Sequence, residues 1–74
     1  MAQTATVVIY TRKDCSYSDA AISEMKDNGT PYREIDIDEV PGAKEELLRL
    51  SKGEPITPVM VVNGDVVIGY HGLG

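Results

Sequence analysis

Tyr10-Thr11-Arg12-Lys13-Asp14-Cys15-Ser16-Tyr17-Ser18 joins two segments of different periodicity, and the only cysteine of the chain lies at the join. The residues before it, Thr6 to Tyr10, form a continuous apolar, β-branched run, which predicts a strand buried on both faces. From Ser16 the apolar residues fall at helical spacing, with Tyr17, Ala21, Ile22 and Met25 on one face. Cys15 is therefore expected where a strand hands over to a helix N-terminus. Unpaired backbone N–H groups and the helix dipole favour negative charge there, which stabilises a thiolate and lowers the thiol pKa. Arg12 and Lys13 supply the main local positive charge and are candidates to hold an anion. Lys13 and Ser18 are the residues expected to support the thiolate, Ser18 through a hydroxyl one turn on. A serine near a helix start equally serves as a plain cap.

Beyond this helix the chain alternates in type. Asn28-Gly29 closes the helix, because glycine reaches the left-handed cap conformation without penalty. Pro31 opens a second strand, Tyr32 to Ile37, and two strands flanking one helix make a right-handed βαβ unit. A second helix is expected with Pro41 in its first turn, Ala43, Leu47 and Leu50 facing inward, and Gly53 just past its end. Pro55-Ile56-Thr57-Pro58 suits neither a helix nor a central strand. Val59 to Val62 reads as a third strand, Asn63-Gly64 as a type I′ hairpin turn, and Asp65 to Gly69 as the returning fourth strand. The order is β-α-β-α-β-β in a single domain spanning residues 1–74.

Composition bounds the function. Seventy-four residues is near the lower limit for a core that folds unaided, and with four Tyr and no Phe or Trp the aliphatic residues must fill it. A formal net charge of −5 argues against a nucleic-acid partner, which needs a basic face. No stretch is apolar and long enough to span a bilayer, and no signal peptide precedes the first strand. A lone cysteine suits a reducing compartment, so the chain reads as cytoplasmic. His71 has no second ligand at metal spacing, and no protein metal site is expected. With a single cysteine, no intramolecular disulfide forms.

The element order, Tyr10-Thr11-Arg12 before Cys15-Ser16-Tyr17-Ser18, Thr57-Pro58 before the third strand, and Asn63-Gly64 followed by Gly69 together resemble the glutaredoxins and the small glutaredoxin-like redoxins, of thioredoxin fold. The resemblance covers almost the whole chain. It implies an α/β fold with a four-stranded mixed sheet, here without the family's C-terminal helix, and Cys15 as the nucleophile. It also implies that Arg12, with Lys13 beside it, meets a glutathione carboxylate and that Tyr17 flanks the sulfur. Thr57 and a cis Pro58 would offer backbone to the cysteine portion of glutathione, like an added strand. Gly69 would admit the ligand's peptide backbone, and Tyr70 and His71 stand where the γ-glutamyl group is normally received. Two departures accompany it: Ser18 replaces the resolving cysteine, and Ile68 replaces the first glycine of a Gly-Gly pair.

The function so implied is a monothiol thiol–disulfide oxidoreductase. It would act through Cys15 on glutathionylated proteins or small disulfides, with glutathione or a similar low-molecular-weight thiol as co-substrate and no tightly bound cofactor. Two alternatives stand beside it. One is an iron–sulfur carrier, in which two chains each lend a cysteine and glutathione completes the ligand set. The other is a non-catalytic binding domain that keeps the fold. With one helix to serve one sheet face, apolar side chains of Val59 to Val62 and Val66 to Ile68 are expected to be exposed on that side. A monomer or weak dimer follows.

Overall fold

The computed structural model describes residues 7–70; Thr6, expected to open the first strand, and His71 to Gly74 lie outside the described residues. The elements are β1 (Val7–Thr11), α1 (Ser16–Asp27), β2 (Tyr32–Asp36), α2 (Ala43–Leu50), β3 (Val59–Val62) and β4 (Asp65–Ile68). They form a four-stranded sheet in the order β2-β1-β3-β4. β1 and β2 run parallel, as the intervening helix requires, and the β1–β3 and β3–β4 pairs are antiparallel. This is the thioredoxin-like architecture that the motif order implied.

Side-chain alternation along β1 divides the core into two layers. Val7 and Ile9 pack with Ala21 and Met25 of α1, joined by Ile22, Tyr32, Met60, Val62 and Tyr70. On the other face Ile37, Ala43, Leu47 and Val59 pack together, joined by Tyr10, Ile35, Leu48 and Leu50. Ile9 and Val59 are completely buried, so the centre of the sheet lies on the two strands that lead to the Cys15 and Thr57 loops.

Several local expectations need correction. The buried stripe of α1 is Ser18, Ala21 and Met25, spaced i, i+3, i+7, whereas Tyr17 is 37% exposed. One residue is about a 100° rotation around a helix, which carries Tyr17 off the core face. Pro41 lies outside α2. The chain from Asp36 to Ala43 is folded into tight turns by Val40 N–H to Asp36 O and Ala43 N–H to Val40 O, 3.0 and 3.1 Å. The helix therefore starts only after Gly42, whose φ of +81° suits glycine. β2 ends at Asp36, although the Ile37 N–H still bonds to Thr11 O at 2.9 Å.

Both helices close in the same way. In α1 the Thr30 N–H reaches Met25 O and the Gly29 N–H reaches Lys26 O, with Gly29 at φ +68°. In α2 the Gly53 N–H reaches Leu48 O at 2.7 Å and the Lys52 N–H reaches Arg49 O at 3.4 Å. The left-handed cap position is thus held by Lys52, at φ +58°, and not by glycine.

Solvent exposure of apolar side chains also differs from expectation. β3 is buried or half-buried, and within this hairpin the exposed apolar side chains are those of β4, with Val66, Val67 and Ile68 at 40, 42 and 37%. Val67 lies opposite Met60 on the α1 face, while Val66 and Ile68 lie opposite Val61 and Val59 on the α2 face. The exposure therefore falls on both faces, because β4 is the edge strand and the two helices cover the strands inward of it.

Lys52→Gly is expected to raise stability by about 0.5–1 kcal/mol, since it removes the Cβ strain of a left-handed cap at some entropic expense in the unfolded chain. Urea midpoints at unchanged slope measure it; a midpoint equal to or below the parent's contradicts this account of the cap.

Candidate functional site

β1 delivers the chain to Thr11, and Asp14 then reverses it at φ +61°, a left-handed conformation that aspartate tolerates better than most residues. Cys15 follows as the N-cap of α1, with φ −101° and ψ 104°. Its carbonyl accepts the first helical bond from the Asp19 N–H at 3.2 Å, and its side chain makes no cap bond of ordinary geometry. The thiol is therefore left at the open end of the helix, half-buried.

The second wall comes from the loop before β3. Tyr10 lies opposite Val59 in the antiparallel β1–β3 pairing, which brings the segment before Val59 against the segment after Tyr10. The Thr57–Pro58 peptide is cis. The Thr57 hydroxyl donates to Cys15 Sγ at 3.0 Å, and the thiol donates back to the Thr57 carbonyl at 3.5 Å. Thr57 is itself buried, and the Gly69 N–H donates to Pro58 O at 2.7 Å, tying the end of β4 to the same loop. Gly69 reaches this position at φ +81°, where a side chain would be strained.

Burial acts most strongly on the Cys15 thiol and pushes its pKa up, but hydrogen bonds outweigh it and leave the pKa below the ordinary thiol value. The Ser18 hydroxyl leads these, then the Thr57 hydroxyl, then the backbone N–H groups of Ser18 and Tyr17 at the helix start. Ser18 has two aspects. It is buried and its Oγ makes no bond of ordinary geometry, yet it lies close enough to influence the sulfur. We read it as a donor available to the thiolate and not as a bond already formed to the thiol.

The basic pair requires a correction. The Lys13 ammonium faces Glu39 at 3.5 Å, and the groups that lower the Cys15 pKa are hydroxyls and backbone N–H groups. Arg12 Nε is likewise 3.9 Å from Asp38. Both pairs are largely solvated and worth little energetically. An incoming anion would nevertheless meet basic groups that already have carboxylate neighbours. The loop after β2 folds back beside the loop after β1, which brings Asp38 and Glu39 to the basic pair.

The remaining candidates are dispersed in role. Tyr17 is exposed one residue beyond Ser16, and its N–H faces the sulfur. Gly69 uses its N–H on Pro58. Tyr70 packs its ring against the α1-side core. Burial, and then the Glu24 carboxylate that accepts its hydrogen bond, raise the phenol above its ordinary value. Tyr70 is thus tied to α1. His71 lies outside the described residues. The Thr57–Pro58 peptide is cis, as the resemblance implies, and borders the sulfur; donation by the Thr57 hydroxyl itself was no part of that expectation. Among the described residues no three His, Cys, Asp or Glu side chains converge as a metal site, and no helix is long and apolar enough to cross a membrane.

Comparison with known proteins agrees with this geometry. The Glutaredoxin family model matches residues 7–67. Among solved structures, NrdH-redoxin from Escherichia coli, described as a glutaredoxin-like protein with a thioredoxin-like activity profile, is 32% identical with a TM-score of 0.74. That match covers 88% of this chain and 83% of the other. The thioredoxin-like protein BC3987 is 30% identical over 86% of each chain, with a TM-score of 0.78. The glutaredoxin grx-1 of Archaeoglobus fulgidus is 27% identical, with a TM-score of 0.76, over 89% of this chain and 76% of its own. No curated protein matches significantly.

Thiolate absorbance against pH is expected to give a Cys15 midpoint below about 8.5, the free-cysteine reference, and Thr57→Val is expected to move it upward. A parent midpoint at or above that reference contradicts the hydrogen-bond account. The linkage sign follows. A folded-state pKa below the unfolded one means that the unfolded chain holds more protons between the two values. Stability therefore rises with pH across that window, is fully present above the unfolded value, and is lost as pH falls through the folded one.

Proposed function

The chain belongs to the glutaredoxin family, and on that premise we propose that it is a monothiol thiol–disulfide oxidoreductase that uses glutathione or a similar low-molecular-weight thiol. The observation that carries this reading is a thiol of lowered pKa, hydrogen-bonded by Thr57, in a chain with one cysteine. The Cys15 thiolate attacks the glutathione sulfur of a mixed disulfide, forming Cys15–S–SG and expelling the substrate thiolate. A second glutathione thiolate then attacks that glutathione sulfur, releases the Cys15 thiolate and leaves as glutathione disulfide. One bond forms and one breaks at each step, and no internal second thiol is needed.

The same count of sulfurs decides against a complete dithiol cycle, because a mixed disulfide with a protein substrate finds no resolving cysteine at position 18. The family reading assigns ligand contacts to Arg12, Lys13, Tyr17, Thr57, Pro58, Gly69 and Tyr70. The Thr57 backbone beside Pro58 is the strongest of these, since it already borders the sulfur. Arg12 and Lys13 must exchange carboxylate neighbours to receive the ligand, which favours modest affinity and marked salt sensitivity. The reaction needs a compartment that supplies reduced thiol, and we place the protein in the cytoplasm on that ground.

Release of glutathione from a glutathionylated peptide, with glutathione as reductant, tests the reading. Turnover is expected from the parent, with Cys15→Ser reduced to the uncatalysed rate. Ser18→Cys is expected to retain it. No turnover by the parent overturns the enzyme reading; visible absorbance after anaerobic reconstitution with iron and sulfide would replace it with cluster carriage.

A further inference from the structure

The two loops at the β1–β2 end of the site carry more acid than base. Thr11 and Asp36 pair at the ends of the parallel strands β1 and β2, and the Ile37 N–H bonds to Thr11 O at 2.9 Å. The chain therefore leaves both strands side by side, with Arg12, Lys13 and Asp14 on one path and Asp38 and Glu39 on the other. Lys13 precedes Cys15 by two residues, which keeps their Cα atoms within about 7 Å. The acidic path is held in place. Ile37 is buried, the Asp38 N–H donates to Asp36 Oδ1 at 2.9 Å, and the Glu39 and Val40 N–H groups donate to Asp36 O at 3.1 and 3.0 Å. Asp38 and Glu39 thus stand against the basic pair, 3.9 Å from Arg12 Nε and 3.5 Å from Lys13 Nζ. With Asp14 counted, this rim holds three carboxylates and two cations.

A ligand carboxylate gains little at such a rim. It must displace a carboxylate that the loop keeps in place, whereas an ammonium group finds acids at hand. Glutathione brings two carboxylates and one ammonium. We propose that Asp38 and Glu39 set the specificity of the site, so that the thiol that resolves the Cys15 mixed disulfide best carries an ammonium group and no carboxylate. This rests on the thiol-exchange reading and selects among the thiols that reading admits. In the resolving step the thiolate attacks the outer sulfur of the mixed disulfide. A new S–S bond forms as the bond to Cys15 breaks, and Cys15 leaves as the thiolate. Asp38 and Glu39 take no part in that exchange. They govern how often the thiol reaches the sulfur, as fixed charges at the mouth of a site do. Glutathione remains a substrate, but a slower one.

The probes are glutathione and its diethyl ester, which has the same thiol and ammonium and no carboxylate. The full chain is loaded at Cys15 with 2-mercaptoethanol as a neutral mixed disulfide, and release of the free thiol is followed by intact mass. Each rate is divided by that of the same thiol on the cysteine–2-mercaptoethanol disulfide, which removes intrinsic reactivity. After that division the ester is expected to be about fivefold faster at low ionic strength, with the ratio falling toward one in about 0.5 M salt. Asp38→Asn combined with Glu39→Gln, two exposed and nearly isosteric changes, is expected to bring the ratio to one or below by speeding glutathione. A parent ratio of one or less overturns the proposal. A ratio that survives the double variant, or high salt, overturns it as well. Because the mixed disulfide is made chemically, the ratio is read whether or not the parent turns over a glutathionylated peptide. A ratio of one alongside turnover of that peptide removes this inference alone; absent turnover removes the enzyme reading, whatever the ratio.

Discussion

Tyr10 opposite Val59 is the pairing on which the site depends. It sets the β1–β3 register, and with it the approach of two loops that are 42 residues apart at their contact point. A slip of one residue would turn each strand's side chains to the wrong face and move Thr57 away from the sulfur. Complete burial of Ile9 and Val59 on opposite faces of the sheet makes such a slip costly. The accuracy of the Cys15–Thr57 contact is therefore a consequence of core packing.

The electrostatics of the sulfur come from short-range donors. Burial opposes the thiolate, and hydroxyl and backbone N–H groups more than compensate. The backbone share comes from the first turn of α1, where N–H groups have no intrahelical acceptor. Arg12 and Lys13 are turned to Asp38 and Glu39, so their charge is locally balanced on a chain of net charge −5. Reactivity and ligand attraction are consequently separate: hydrogen bonds tune the thiol, while the basic pair is left to compete for anions at the rim.

The C-terminal part of the described chain has a double role. Gly69 binds the Pro58 carbonyl and so braces the loop that carries Thr57. Tyr70 next to it turns back to α1, packing on the core and reaching Glu24. These two contacts fasten β4 at its end near the site, while the strand itself is exposed on both faces. Loss of the Gly69 tie would be felt at the sulfur through the loop that carries Thr57.

Much of the fold was legible in the sequence because each signal was local. The apolar run through Ile9 and Tyr10, the helical spacing of Ala21 and Met25, Asn63-Gly64 at the hairpin and Gly29 at the helix end each reflect constraints within a few residues. Position 15 at a strand–helix join was legible for the same reason. The misreadings share a cause as well: Tyr17 on the core face and Pro41 inside α2 depended on a phase or boundary of one or two residues, which packing and turn bonds decide. What only the tertiary structure decided is who meets whom across the sheet. The Thr57 hydroxyl on the sulfur, Lys13 facing Glu39 and Tyr70 bonded to Glu24 are contacts between elements distant in sequence. Their geometry is set by strand register and loop direction, and neither periodicity nor composition encodes it. The sequence alone determined that any thiol chemistry has one cysteine to use; the fold decided that the Thr57 hydroxyl meets it.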